Sequence, residues 1–182
     1  MTVQERLAAL RSLMKEKHVD AYLVPTDDFH GSEYVGDYFK CRKYITGFTG
    51  SSGTAVVTMD QACLWTDGRY FVQASHELEG SSVTMMKMGH EGVPEVEESL
   101  DQKLPAGGCL GFDGRVVNAA AGLNLEDLLE DRNIRISYGE DLIGKIWEDR
   151  PALSAPPAWV LAPQYAGQCS RDKIADDPEA MK

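Results

Sequence analysis

Three glycines, Gly47, Gly50 and Gly53, open the stretch that most restricts how this chain can fold. Their block, Tyr44-Ile45-Thr46-Gly47-Phe48-Thr49-Gly50-Ser51-Ser52-Gly53-Thr54-Ala55, leads into a β-rich run from Gly53 to Thr58. A second β-rich run, Ala62 to Thr66, follows after Met59-Asp60-Gln61, which is hairpin spacing. It continues as Asp67-Gly68-Arg69-Tyr70-Phe71, so a strand hands over to a helix. The glycines invite a phosphate-cradle reading. There is, however, no GxGxxG and no GKS or GKT, and the run enters a strand rather than a helix. Ser51 and Ser52 also lack the GxSxG elbow of a hydrolase nucleophile. The glycines therefore read as a tight turn with positive φ and close backbone packing.

Helical and strand patterns alternate around this hairpin. Thr2 and Glu5 have capping-box spacing, and Leu7, Leu10, Leu13 and Met14 make one helical stripe that ends near His18. Asp20 to Val24 reads as a buried strand stopped by Pro25, and 26–39 as a long loop with short helical turns. Cys41 to Ile45 reads as a brief helix. Arg69 to Glu79 reads as a helix with Phe71 or Val72, Ser75 and Leu78 inward, closed by Gly80. Strands are expected at 83–88, 109–113 and 134–138. Further helices are expected at 94–104, at 119–131 with Leu125, Leu128 and Leu129 inward, and at 141–147. Helical crossovers favour parallel pairing. The expected fold is therefore α/β, with a mixed, largely parallel sheet of about six strands flanked by helices, over residues 1–150. Pro151, Pro156, Pro157 and Pro163 mark 151–163 as a semi-rigid linker, and 164–182 carries too little apolar surface to fold alone.

Composition limits the partners. A hydrophobic share of 43% supports a real core, while a net charge of −11 disfavours nucleic acid and anionic membrane surfaces. No apolar run reaches membrane-spanning length. Cys41, Cys63, Cys109 and Cys169 form no CxxC pair, and Cys63 and Cys109 lie in apolar runs where a small buried thiol is the plain reading. The amino terminus has charges and no apolar segment of a signal peptide, so a reducing, cytoplasmic location is expected.

No residue set reads as catalytic or metal-binding. His18, His30, His76 and His90 are scattered without HxH or HxxxH spacing. Glu126, Asp127, Glu130 and Asp131 fit a solvated helix face, and the aromatics Trp65, Tyr70 and Phe71 lack the basic neighbours of a base-stacking surface. Asp67 or Thr66 can cap the helix that follows. Arg69 can pair with a nearby carboxylate or point at a substrate carboxylate, and the structural reading is favoured. The residues best placed to face a substrate are His30, Glu33 and Tyr34 of the long polar loop, with Arg42 and Arg69.

Read in order, several blocks resemble the intracellular three-domain Xaa-Pro aminopeptidases of the creatinase/prolidase-like metallopeptidase family. They are Ala21-Tyr22-Leu23-Val24-Pro25, His30-Gly31-Ser32-Glu33-Tyr34, the glycine block, Trp65-Thr66-Asp67-Gly68-Arg69-Tyr70-Phe71-Val72-Gln73-Ala74, Met86-Lys87-Met88-Gly89, Gly111-Phe112-Asp113 and Ile146-Trp147-Glu148-Asp149-Arg150-Pro151. The resemblance runs from about residue 20 to about residue 175, and the 65–71 and 146–151 blocks are specific in combination. It implies a chain whose last domain has a pita-bread fold and holds two divalent metals, often manganese, through two Asp, one His and two Glu. The metals there activate water and polarise the peptide bond between a first residue and a following proline. None of those ligands carries over. No Asp here is followed by an Asp at the spacing of the family's metal-binding pair. The resemblance therefore implies the amino-terminal domain, its linker and a stub at 164–182. That domain is non-catalytic, holds no cofactor, and shapes access to the active site and assembly. Its implied partners are the catalytic domain of the same polypeptide, short proline-containing peptides, and further copies in a homo-oligomer. Where the family has an amphipathic helix, the run from Asp172 to Pro178 is expected to interrupt it. The alternatives are a free-standing peptide- or partner-binding module, or the same domain of a prolidase or creatinase.

Overall fold

A computed structural model describes residues 1–176. The elements in chain order are α1 (Val3–Lys17), β1 (Ala21–Val24), a 3-10 turn (Asp37–Phe39), α2 (Cys41–Thr46), β2 (Thr54–Thr58) and β3 (Ala62–Thr66). They continue as α3 (Phe71–Glu77), β4 (Thr84–Lys87), α4 (Val96–Lys103), β5 (Cys109–Phe112), α5 (Ala119–Glu130), β6 (Arg135–Ser137) and α6 (Leu142–Ile146), followed by α7 (Pro163–Ala166) and α8 (Ser170–Asp176). The six strands form one mixed sheet in the order β4-β3-β2-β1-β5-β6. β1 pairs parallel with β5, β5 with β6, and β3 with β4, while β2 runs antiparallel to both β1 and β3. Five strands thus share one direction and β2 alone is reversed.

Alternation along the strands divides the core into two layers. Tyr22, Val24, Ala55, Val57, Ala62 and Leu64 face α1, α2, α3 and α6. Ala21, Leu23, Val56, Cys63, Trp65, Leu110 and Phe112 face α4 and α5. All four β1 residues are buried, as expected of a strand covered on both faces. Trp65 is completely buried, and its indole N–H donates to the Pro94 carbonyl at 2.8 Å, so its one polar atom is satisfied. The α1 capping box forms as its spacing predicts, and His18 ends the helix in the left-handed region.

Some facing residues differ from the sequence pattern. α3 begins at Phe71 because a turn from Asp67 to Tyr70 occupies the preceding residues. Its inward residues are Ala74 and Leu78, continuing a row from Tyr70, while Ser75 and Val72 face solvent. On α5, Leu125 and Leu129, one turn apart, are buried, while Leu128, at the edge of the same stripe, is exposed. β4 and β6 are shorter than the apolar runs suggest. The expected interruption near Asp172 is not found up to Asp176. Asp172 lies in the first turn of α8, where a carboxylate suits the helix dipole. Residues 177–182, including Asp177 and Pro178, lie outside the described residues.

Tyr22 joins sheet to helix. Its hydroxyl accepts from the Leu142 N–H at 3.0 Å and donates to the Glu140 carbonyl at 3.1 Å. Burial pushes its phenol pKa up, despite the opposing Leu142 N–H. Tyr22→Phe leaves a buried N–H unpaired and is expected to cost about 1–3 kcal/mol in urea denaturation. An unchanged denaturation midpoint would show the bond to be dispensable.

Candidate functional site

Because β2 is the reversed strand, the loop entering it lies beside the exits of the other five. The long loop after β1, the glycine loop before β2, and the turns after β3 and β5 all gather at one edge of the sheet. In open α/β sheets this carboxyl edge is where ligands bind.

Two adjoining hollows occupy that edge. One, of about 210 Å³, is lined by Thr26, Glu33, Tyr34, Phe39, Arg42 and Ser51 among others. The second, of about 290 Å³, shares Thr26, Glu33 and Ser51 with it and adds Ser32, Ser52 and Arg69. Together they form a groove with one wall from the long loop and the other from the glycine loop. Lys40 and Lys43 stand on its rim. A chain of net charge −11 therefore collects cationic side chains here, beside hydroxyls and the exposed Tyr34 ring.

Arg42 forms the floor. It is 4% exposed, and no carboxylate lies within ion-pair distance among the described residues. Its Nε donates to Thr26 Oγ1 at 2.9 Å, Nη1 to the Phe48 carbonyl at 2.8 Å, and Nη2 to the Gly50 carbonyl. The guanidinium also lies over the Phe48 ring, 4.7 Å from its centroid. Burial pushes its pKa down to about 10, opposed by the more distant charge of Glu77, so it remains a cation at neutral pH. Thr26 relays the restraint, since its hydroxyl donates to the Gly53 carbonyl at 2.6 Å. At Gly50 a Cβ would fall 2.3 Å from Phe48 Cζ and 2.7 Å from Tyr70 Cδ1, so only glycine fits the bend that Arg42 holds. Glu77 secures the far side of the loop, accepting from the Thr49 N–H at 2.7 Å and the Thr49 hydroxyl.

Arg69 is 70% exposed at the side chain and engages Asp67 from three directions. Its backbone N–H and Nε reach Oδ1 at 3.0 and 2.9 Å, and Nη2 reaches Oδ2 at 2.8 Å. The bonds from Arg69 hold the Asp67 carboxyl down to about 2. Asp67 thus closes the turn before α3 rather than capping the helix itself, and Thr66 is engaged with the Ser52 carbonyl.

A second copy of this turn went unread in the sequence. Asp113-Gly114-Arg115 follows β5 as Asp67-Gly68-Arg69 follows β3, and its three distances are 3.1, 2.9 and 2.8 Å. The recurring tripeptide after an apolar run was the available signal. The two turns bracket the long loop. Arg115 lies over the Phe29 ring at 5.4 Å, and the charge of Glu33 reaches Arg69. The structure thus brings Glu33, Tyr34, Arg42 and Arg69 together. His30 is exposed on the same loop and does not line the groove; its backbone N–H donates to Asp28. Among the described residues, no three His, Cys, Asp or Glu side chains converge where they could hold a metal ion. No described helix is long and apolar enough to cross a membrane.

Residues 6–140 match the Creatinase/Prolidase N-terminal domain. The chain belongs to that family. A probable Xaa-Pro aminopeptidase P of Talaromyces marneffei is 41% identical over 180 residues, covering 98% of this chain and 27% of that protein. Aminopeptidase P2 of Arabidopsis thaliana is 40% identical over 172 residues, 92% of this chain and 24% of that protein. The chain therefore spans about a quarter of the length of these relatives. The crystal structure of X-prolyl aminopeptidase from Caenorhabditis elegans, described as a cytosolic enzyme with a di-nuclear active site, superposes with a TM-score of 0.85 at 35% identity. It covers all of this chain and 31% of that one. The separately crystallised N-terminal domain of the cytoplasmic peptidase PepQ from Mycobacterium tuberculosis aligns at a TM-score of 0.57 and 25% identity, covering 78% of this chain and 98% of that one. The mixed six-stranded sheet flanked by helices is thus the fold of this domain family.

Two outcomes follow from the geometry. Arg42→Ala strands two loop carbonyls and is expected to cost about 2–4 kcal/mol in urea denaturation; a change under about 0.5 kcal/mol, within the range of ordinary surface substitutions, contradicts the clamp. The lowered Asp67 carboxyl favours the folded state above its unfolded pKa near 4 and loses that contribution as pH falls towards about 2. Because the pair is partly exposed, the difference between wild type and Asp67→Asn should be at most about 1 kcal/mol at pH 7, shrink on acidification and vanish below about pH 2. A difference that grows on acidification contradicts the assignment.

Proposed function

We propose that this chain is the amino-terminal domain of an Xaa-Pro aminopeptidase, a hydrolase that removes the first residue from peptides with proline second. The observation that carries the reading is similarity to such enzymes along nearly the whole chain, of which it spans about a quarter. The described residues offer no convergent metal-ligand set, so this reading assigns the hydrolytic centre to the rest of the polypeptide. The two divalent ions belong to that centre, with manganese as the metal, and a homo-oligomer in the cytoplasm is the working form.

In this reading the domain contributes the groove at its carboxyl edge. Tyr34 supplies an exposed ring that can lie against a prolyl or apolar side chain, a contact worth about 1 kcal/mol. Glu33 and Arg69 supply opposite charges to orient a short peptide, and Lys43 favours its carboxylate end, the Lys40 ammonium being paired with Asp37. Arg42, with its donors turned to Thr26, Phe48 and Gly50, supports the groove from below. Narrow access between two loops favours short, extended substrates over folded proteins.

Two assays test this. The 182-residue chain alone with added manganese should show no turnover of Xaa-Pro peptides. Turnover abolished by a chelator would overturn the assignment of catalysis to another domain. In the complete enzyme, Tyr34→Ala and Arg69→Ala should each lower kcat/KM about 5–10-fold, mainly through KM. Unchanged kcat/KM in both variants would remove the groove from the substrate path.

A further inference from the structure

Cys63 lies on β3 with its side chain in the layer facing α4, beside Trp65, Leu100 and Leu104. Its sulfur has one polar neighbour, the Lys103 amine in the last turn of α4, with Nζ to Sγ 3.6 Å. Lys103 enters none of the ion pairs among the described residues. The residue is exposed, and its amine meets sulfur rather than a carboxylate. The other cysteines differ. Cys41 faces the Arg150 guanidinium, whose nitrogen lone pairs are delocalised. Cys109 contacts a backbone carbonyl, and Cys169 contacts Asp172. All four are free thiols, so Cys63 is the one described cysteine whose sulfur meets an amine.

From this geometry we infer that Cys63 and Lys103 form a redox-modifiable pair, joined under peroxide by a covalent sulfur–oxygen–nitrogen bridge. The thiol attacks one peroxide oxygen, the O–O bond breaks, and sulfenic acid and water result. The neutral amine then bonds through nitrogen to that oxygen, and a second peroxide takes up the two electrons lost. Overall one thiol, one amine and two hydrogen peroxide molecules give S–O–NH and three waters. Thiol reductants reverse the change, returning the thiol and the amine and releasing the bridging oxygen as water. The bridge ties β3 to α4 across forty residues of chain. β3 leads on into the Asp67-Gly68-Arg69 turn, so the bridge would fix the strand that carries this turn. The inference is independent of which peptidase the chain belongs to.

The test treats the folded protein with hydrogen peroxide, digests it with trypsin and maps the peptides by mass spectrometry. The expected product is a cross-linked pair containing Cys63 and Lys103, uncleaved after Lys103, about 14 Da heavier than the two peptides together. Dithiothreitol should return both free peptides. Lys103→Arg keeps the charge on an exposed position and should abolish the cross-link without affecting folding, as read by circular dichroism. Two results overturn the inference: Cys63 converted to sulfinic or sulfonic acid with Lys103 still cleaved, or Cys63 unreacted while exposed Cys169 is oxidised.

Discussion

The groove depends on one buried cation. Arg42 holds a positive charge under the glycine loop without a carboxylate partner in contact among the described residues, and three oxygens, two of them backbone carbonyls, replace the water it has lost. Burying a charge is costly unless it is hydrogen-bonded, so this site selects the loop conformation that presents those oxygens. Glycine at position 50 is the sequence's side of the same constraint, because any side chain there would displace Phe48 or Tyr70. Thr26 extends the restraint to the exit of β1 and the start of the long loop. Both walls of the groove are thereby set by a single side chain on a six-residue helix.

Topology explains why these loops meet. A sheet in which every strand ran the same way would send the glycine loop to the opposite edge. The β2–β3 hairpin reverses one strand and brings the loop to the side where β1, β3 and β5 end. The repeated Asp-Gly-Arg turns then act as matched brackets. Each guanidinium is oriented by its own aspartate through a fork of bonds, one within reach of the charge of Glu33 and the other over the Phe29 ring. The long loop is held at its flanks while its polar tip remains open to solvent. This division suits a surface that meets other molecules on a rigid frame.

Much of this was legible in the residues because strand and helix periods were strong. The Thr2–Glu5 capping box, the hairpin around Met59-Asp60-Gln61 and the apolar run of β1 stopped by Pro25 each carry their structure locally. The facing of α3 was not legible. Its apolar row begins at Tyr70, outside the helix, so counting from Phe71 rotated the face by one position. The position of Arg42 was equally hidden. Cys41 to Ile45 reads as a brief helix, and nothing local reveals that the Arg42 side chain turns under a loop six to eight residues away. The pairing of the groove's two walls is tertiary, and only the grouping of polar residues near glycines hinted at it.

The proposed path of a peptide runs along the carboxyl-edge groove between the long loop and the glycine loop. Amide hydrogen exchange on the complete enzyme, with and without a non-cleavable Xaa-Pro peptide, tests this most directly. Exchange in residues 28–36 and 49–53 should slow on peptide binding, with α4 and α5 unchanged. Protection confined to the other domains, with both loops exchanging as in the free enzyme, would contradict it.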